Sequence, residues 1–141
     1  MDTPEEWRIV KTHQKYEVSN KGRVRNAETK KCLALTTTTG DYYKVNMFGS
    51  DAKPTQRVNR IVALAFLGEP PVKGMYCHHK NHDRQDNRVE NLEWVTPEEN
   101  SQAHIKWNDK KLFRISLERE AALPLLKQMA EVLMRLEKRF L

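Results

Sequence analysis

The chain has no long hydrophobic run and almost no cysteine. Its mean hydropathy is −0.80, and no apolar stretch approaches the roughly 20 residues that a membrane-spanning helix needs. Two cysteines, Cys32 and Cys77, lie far apart among the 141 residues, which excludes a dense disulfide framework. The N-terminal residues are acidic and lack the apolar segment of a signal peptide. We therefore expect a cytoplasmic protein in a reducing compartment, with no membrane partner.

Positive charge exceeds negative charge by a modest margin. Lysine and arginine number 25, while aspartate and glutamate number 19, which gives a formal net charge of +6. This basic excess favours a polyanionic partner such as a nucleic acid, without identifying one. The length of 141 residues accommodates one compact domain with an appendage, but not two full hydrophobic cores.

A typical helix start precedes two residues of metal-binding type. Thr96 can act as the N-cap, Pro97 fits the first helical position, and Glu99 completes a capping box. Asn100 and His104 follow four residues apart, so their side chains share one face of the predicted helix. That spacing can offer two ligands to one metal ion.

Two short strands are predicted before this helix. Residues 75–79 and 92–95 have the composition of strands, and the polar residues 80–90 between them predict a loop. The two strands and the helix would enclose a polar pocket, with Trp94 and Val95 on its floor.

His78 and His79 are adjacent on the first of these strands. Because adjacent residues of a strand point to opposite faces, the two imidazoles have different roles. One can join Asn100 and His104 on a metal ion, while the other faces the substrate. An imidazole with an ordinary pKa of about 6.5 can accept a proton from water near neutral pH.

The segment Cys77–His104 resembles the HNH (ββα-metal) nucleases, in which one divalent metal ion and one histidine cut a DNA phosphodiester. The resemblance implies that His79 is the general base that activates water. It implies that Asn91 ties the loop down and orients that histidine. The metal ligands that it implies are His78, Asn100 and His104.

The resemblance also implies one divalent metal ion, Mg²⁺ or Mn²⁺ ahead of Ni²⁺ or Zn²⁺. Two imidazoles and an amide oxygen suit Mn²⁺, Ni²⁺ or Zn²⁺ and tolerate Mg²⁺. The alternative is a structural zinc site built from Cys77, His78, His82 and His104. We disfavour that alternative because structural zinc sites usually use paired cysteines. Outside such a site, His82 and His13 are expected to be ordinary loop or core residues.

The N-terminal half carries a second resemblance. Trp7 followed by the segment Tyr16–Asn26 resembles the NUMOD4-like DNA-binding module found at the front of many phage and intron-borne HNH proteins. Alternation on either side of the Ser-Asn-Lys-Gly turn predicts a β-hairpin. Basic side chains at and beyond this turn are expected to lie along a phosphate backbone. They are Arg23, Arg25, Lys30 and Lys31.

Two further strand-like segments are residues 32–35 and 42–48. As a two-stranded ribbon they could read bases in a major groove, or their aromatic residues could simply pack a small sheet. The dense apolar residues from Val58 to Leu67 predict a short buried helix beneath the nuclease hairpin. Related proteins commonly carry a histidine where Asn59 stands.

The residues after about Lys110 lie outside both resemblances. Their composition predicts a helix that Pro124 kinks or restarts. Beyond the proline an apolar stripe repeats at alternating steps of three and four residues. The stripe consists of Leu126, Met129, Leu133, Leu136 and Phe140. It either folds back onto the protein's own core or forms a homodimer contact.

These observations predict an α+β fold in three parts. A strand-rich DNA-binding front spans residues 1–68, the ββα-metal catalytic module residues 69–109, and a helical tail residues 110–141. The expected function is metal-dependent cleavage of double-stranded DNA by an enzyme resembling the homing-type HNH endonucleases of phages and mobile introns. Arg84 or Arg88 is expected to touch the substrate phosphate. The alternatives are a non-catalytic DNA-binding regulator and a nuclease that acts on RNA.

Overall fold

The computed structural model describes residues 3–139. Contacts divide the chain into two units, Met1–Asn100 and Ser101–Leu141. The strands are β1 (Trp7–Val10), β2 (His13–Ser19), β3 (Val24–Asn26), β4 (Thr36–Thr37), β5 (Tyr43–Asn46), β6 (Thr55–Arg57), β7 (Tyr76–His79) and β8 (Leu92–Val95). The helices are α1 (Val58–Phe66), a 3₁₀ turn (Val89–Asn91) and α2 (Pro97–Arg139). The predicted α+β class is confirmed.

The predicted N-terminal hairpin is confirmed. β2 and β3 pair antiparallel, with Tyr16 opposite Asn26, and β1 pairs with the other edge of β2. The side chain of Ser19 closes the turn between β2 and β3, because its hydroxyl accepts a hydrogen bond from the Arg23 N–H at 3.1 Å.

The second sheet has the strand order β4–β5–β6, and it differs from the predicted ribbon. The expected strand at residues 32–35 is wrong, since Cys32 makes an isolated bridge to β3 and β4 contains Thr36–Thr37. Leu33 donates its N–H to the carbonyl of Val24 at 2.8 Å. This long-range bond holds the segment against the first sheet, which local alternation could not reveal.

The expected strand at residues 42–48 is shortened to β5. Met47 follows it, is fully buried, and donates its N–H to the carbonyl of Pro54 at 2.8 Å. Tyr43 packs against the core, whereas Phe48 is 66% exposed. The alternative that these aromatic residues only pack a small sheet therefore holds for Tyr43 but not for Phe48.

One hydrophobic core joins the N-terminal sheets to the helix and hairpin that follow. Burying apolar side chains from distant segments in one cluster makes those segments fold together. The buried cluster consists of Val10, Val18, Val24, Val45, Met47, Val58, Ile61, Val62 and Leu92. The predicted buried helix is confirmed as α1, which supplies Val58, Ile61 and Val62 to this cluster.

The predicted β7–β8 hairpin is also confirmed, with His79 opposite Leu92. Trp94 was expected on the floor of a polar pocket. Its indole N–H instead donates to the carbonyl of Gly68 at 3.1 Å, which ties β8 to the chain just after α1.

The long helix α2 begins with the predicted capping box. The Thr96 hydroxyl accepts from the Glu99 N–H at 3.2 Å, and the Glu99 carboxylate accepts from the Thr96 N–H at 2.8 Å. The helix continues through Pro124 without the predicted restart, in a surrounding run of good helix formers. None of its described residues is buried. Within residues 3–139, no helix combines the length and apolarity needed to cross a bilayer.

The neighbours Met47 and Phe48 test the shared core. Met47→Ala should lower the free energy of unfolding by about 2–5 kcal/mol, because it leaves a cavity at a fully buried site. Phe48→Ala should change it by less than about 0.5 kcal/mol, since Phe48 is largely exposed. Urea unfolding followed by tryptophan fluorescence measures both. Equal losses in the two variants would contradict the assignment of Met47 to the core.

Candidate active site

His78 lies at the centre of the β7–β8 hairpin, directly opposite Glu93. Its ring is buried, with 8% of the residue exposed, and its Nδ1 donates to Glu93 Oε1 at 3.1 Å. A carboxylate can only accept, so this bond requires a proton on Nδ1. The ring of His82 meets His78 edge-on, with 5.1 Å between centroids.

His79 makes different contacts, as strand alternation predicts. It is 4% exposed, and its Nε2 bonds to Asn87 Oδ1 at 2.9 Å. The Asn87 amide nitrogen donates to the carbonyl of Gln85 at 3.4 Å, which turns Oδ1 toward the imidazole. His79 Nε2 is therefore the donor, and Nδ1 is the nitrogen that can accept a proton.

Burial lowers the pKa of His79 below its ordinary value, and the hydrogen bond that His79 donates to Asn87 opposes that shift. His78 adds to the lowering, because two neighbouring cations repel each other. The lowered pKa favours the neutral imidazole, which is the state that a general base requires.

Asn91 secures the loop, as expected, but its side chain bonds elsewhere than to His79. Its Oδ1 accepts from the Asn81 N–H at 3.0 Å. Its Nδ2 donates to Asn81 Oδ1 at 2.9 Å and to the carbonyl of Asp86 at 2.8 Å. The residue bonded to the His79 ring is Asn87, which the sequence analysis missed. Both asparagines lie in the polar region after β7, and spacing alone did not separate their roles.

Arg88, one of the two loop arginines, is engaged within the loop. Its guanidinium makes two bonds to the Asp86 carboxylate, at 2.8 and 2.7 Å. These bonds lower the pKa of Asp86. The acid–base pair therefore braces the segment that leads into Asn87 and the 3₁₀ turn.

The predicted helix ligands occupy successive turns at the start of α2. Asn100 donates its N–H to the carbonyl of Thr96 at 2.9 Å, and His104 follows one helical turn later. Asn100 is the last residue of the first unit, and His104 belongs to the second. Within residues 3–139, no three His, Cys, Asp or Glu side chains form a group that could hold a metal ion. The predicted ligand set differs from such a group because it includes an amide oxygen.

Cys77 does not serve the alternative zinc site. Its thiol donates to the carbonyl of Asn59 on α1 at 3.4 Å, and the Asn59 amide donates back to the Cys77 carbonyl at 3.3 Å. Asn59 thus links α1 to β7.

Three of the four basic residues predicted to contact DNA from the front are held by carboxylates. Arg23 forms an ion pair with Glu5, Arg25 bonds to Glu17 at 2.7 Å, and Lys30 reaches the same carboxylate at 3.1 Å. The Arg25 guanidinium also covers the ring of Trp7, 3.8 Å from its centroid. The fourth, Lys31, is exposed. Their contact with DNA stays a prediction.

A cluster of Arg57, Tyr42 and Arg84, hereafter the Tyr42 cluster, lies beside His79. The two guanidinium groups lie 4.6 and 5.0 Å from the Tyr42 ring centroid, and that centroid is 5.8 Å from the His79 ring. Arg84 also donates to the carbonyl of Gly40 at 3.0 Å. Arg57 was not predicted from the sequence, because its proximity to the loop depends on how the second sheet packs.

Comparison with known families agrees with this arrangement. The HNH endonuclease family matches residues 56–102, and the NUMOD4 motif matches residues 5–48. The chain carries an HNH endonuclease domain preceded by a NUMOD4 motif. Both predicted resemblances are confirmed. The two matched segments together supply the single core and the residues that surround His79.

Individual relatives of this HNH chain include viral and phage proteins. It is 40% identical over 101 residues to an uncharacterized HNH endonuclease of Acanthamoeba polyphaga mimivirus, covering 70% of this chain and 25% of the relative. It is 32% identical over 92 residues to DNA endonuclease I-HmuI of Bacillus phage SP01, covering 64% of this chain and 52% of that protein. The chain thus spans between a quarter and about half of these curated relatives.

The fold is also similar to that of a solved structure, which is described as DNA binding and cleavage by the HNH homing endonuclease I-HmuI. It superposes with a TM-score of 0.66 at 28% identity, covering 79% of this chain and 66% of that chain.

The two thiols of this HNH chain should react at very different rates. Burial raises the pKa of Cys77 to about 12, so almost none of it is thiolate at neutral pH, whereas Cys32 is exposed. A colorimetric thiol reagent should label one thiol quickly in the folded protein and two after denaturation. Cys32→Ser should remove the fast phase. A fast phase that survives this substitution would contradict the buried environment of Cys77.

Proposed function

We propose that this chain is a metal-dependent DNA endonuclease in which His79 is the general base. The observation that carries the proposal is the bond between His79 Nε2 and Asn87 at 2.9 Å, in a residue that is 4% exposed. Asn87 orients the ring and leaves Nδ1 to accept the proton of an attacking water. A fixed, neutral imidazole of this kind typically contributes about 10²–10⁴ in rate.

We further propose that His78, Asn100 and His104 hold one divalent metal ion. The Glu93 carboxylate on His78 Nδ1 supports this, because ligating histidines commonly donate their other ring N–H to a carboxylate. Asn100 and His104 lie one turn apart on α2, a spacing that presents both from one helix face. When bound, the ion would stabilise the charge that develops on the phosphate and the leaving oxygen. Mg²⁺ or Mn²⁺ is the expected ion.

The Tyr42 cluster is proposed to hold the phosphate backbone next to the reacting bond. Its two guanidinium groups flank an aromatic ring that adjoins His79, and arginine recognises phosphate through several fixed donors. Arg23, Arg25 and Lys30 would have to exchange a carboxylate for a phosphate before contributing. We therefore propose that the main phosphate contacts come from the Tyr42 cluster.

Double-stranded DNA is the proposed substrate, supported by the family of the domain and by the DNA endonuclease among its relatives.

The homodimer contact through the tail stays a prediction. Leu126, Met129 and Leu133 are exposed along the stripe, and Phe140 lies outside the described residues.

His79→Ala tests the proposed base directly. Supercoiled plasmid incubated with the protein and Mg²⁺ or Mn²⁺ should be nicked or linearised, and EDTA should stop the reaction. His79→Ala should lower the single-turnover rate by about 10²–10⁴ while DNA affinity stays the same. Equal rates in both proteins would reject the base assignment. Tight DNA binding without cleavage under any metal condition would instead indicate the DNA-binding regulator, and cleavage of RNA alone would indicate the RNA nuclease.

Arg57→Gln and Arg23→Gln test where the phosphate contacts lie. Arg57→Gln should weaken DNA binding and reduce the slope of log affinity against log salt by about 0.9, the value for one lost phosphate contact. Arg23→Gln should leave that slope nearly unchanged, because its guanidinium is paired with Glu5. Fluorescence anisotropy over a series of salt concentrations measures both slopes. A larger change for Arg23→Gln would place the contacts on the hairpin instead.

A further inference from the structure

The turn between β2 and β3 packs directly against the loop that holds His79. The carbonyl of Asn20 accepts a hydrogen bond from the Val89 N–H, at the start of the 3₁₀ turn, at 2.8 Å. Asn20 is buried, and its own side chain is fixed by bonds to the Glu6 N–H and the Pro4 carbonyl, both at 3.0 Å. The bonds of Asn20 to Pro4 and Glu6 therefore hold the turn in place against the loop.

Gly22, in the same turn, packs against Asn87 in the loop. A Cβ atom built on Gly22 would lie 2.8 Å from Asn87 Cβ and 3.2 Å from the Asn87 carbonyl oxygen. Its φ of +85° is also a conformation that glycine adopts most readily. The backbone of Gly22 thus packs against Asn87 at a distance that no other residue permits without displacing one of them.

Asn87 connects this contact to the chemistry. It is 4% exposed, and its Oδ1 bonds to His79 Nε2. Asn87 is therefore enclosed between the Gly22 backbone and the His79 ring. Any shift of Asn87 that the turn imposes alters the geometry of that bond, and with it the ring orientation and the nitrogen that carries the proton.

We propose that Gly22 is a positioning residue for catalysis, which acts through Asn87 to fix the orientation and tautomer of His79. The inference rests on the proposed role of His79 as the base. It assigns to the NUMOD4 segment a function besides contact with DNA, since its turn completes the support of the active site. A displacement of about 1 Å at a catalytic group can cost about 10²-fold in rate.

Gly68 provides a matched control within the chain. Its φ of +84° nearly equals that of Gly22, but nothing lies within 4 Å of a Cβ built on it. Alanine at either position therefore meets the same backbone strain. Only alanine at position 22 also meets Asn87. The difference between the two variants isolates the packing against the loop.

The experiment compares Gly22→Ala with Gly68→Ala in the full chain. Gly22→Ala should lower the single-turnover cleavage rate by about 10- to 100-fold with unchanged DNA affinity. In ¹⁵N-histidine NMR spectra, it should convert His79 from one tautomer, protonated on Nε2, to a mixture of two. Gly68→Ala should leave the rate and the tautomer as in the unmodified chain. His79→Gln identifies the His79 signals.

A double-mutant comparison tests the route through Asn87. Asn87→Ala alone should lower the cleavage rate and mix the tautomers, because the acceptor for Nε2–H is gone. Adding Gly22→Ala to Asn87→Ala should then lower the rate little further, since residues that act in one chain of contacts are not additive. Fully additive losses would overturn the proposed route.

NMR of the unmodified chain keeps the proposal testable if Gly22→Ala does not fold. Nuclear Overhauser effects between the Gly22 Hα and Asn87 Hβ protons, together with a slowly exchanging His79 Nε2–H, are expected. Their absence would overturn the proposal, as would equal tautomer mixing in the Gly22 and Gly68 variants. The tautomer is read without any cleavage. An unmodified chain that cuts no DNA but keeps a single tautomer would reject the proposed function while leaving the positioning contact intact.

Discussion

The hydrogen bond between His79 and Asn87 is the interaction on which the rest of the site depends. It decides which nitrogen of a neutral imidazole carries the proton, and therefore which nitrogen can accept one. Burial lowers the pKa of His79, which favours the neutral ring, so the proposed role of His79 as a base depends mainly on the orientation of the ring. Asn91 bonds to the carbonyl of Asp86, the residue before Asn87, and the Gly22 backbone packs against Asn87 itself. A contact from a distant segment thus acts on Asn87, which is bonded to Nε2 of His79.

Strand alternation separates two histidines that are adjacent in the chain. His78 pairs across the hairpin with Glu93, while His79 turns to Asn87 and the Tyr42 ring. The carboxylate on one ring and the amide on the other select opposite tautomers, with Nδ1–H on His78 and Nε2–H on His79. The two adjacent imidazoles therefore leave different ring nitrogens to accept, as the proposed roles of His78 as a metal ligand and His79 as the base require.

The sequence predicted those features that depend on residues close together in the chain. The cap at Thr96, the buried helix α1 and the parity of His78 and His79 follow from residue types at short spacing, and the structure shows each of them. Contacts between distant segments were not predictable in this way. The pairing of Arg23 with Glu5 depends on how β1 joins β2, and the roles of Asn87 and Asn91 depend on which one the folded loop turns toward His79. Periodicity carries no information about either.

The single core explains why the two family segments act as one unit. Val18 and Val24 of the NUMOD4 segment and Val58 and Leu92 of the HNH segment are buried in the same cluster, so the hairpin cannot move independently of the loop without exposing apolar surface. Arg23, Arg25 and Lys30 of this segment form ion pairs with its own carboxylates. Its turn packs against Asn87 through Gly22. The guanidinium groups of Arg57 and Arg84 lie instead around the Tyr42 ring, which adjoins His79. The hairpin thus packs against Asn87, while β6 and the loop after β7 supply the two arginines beside His79.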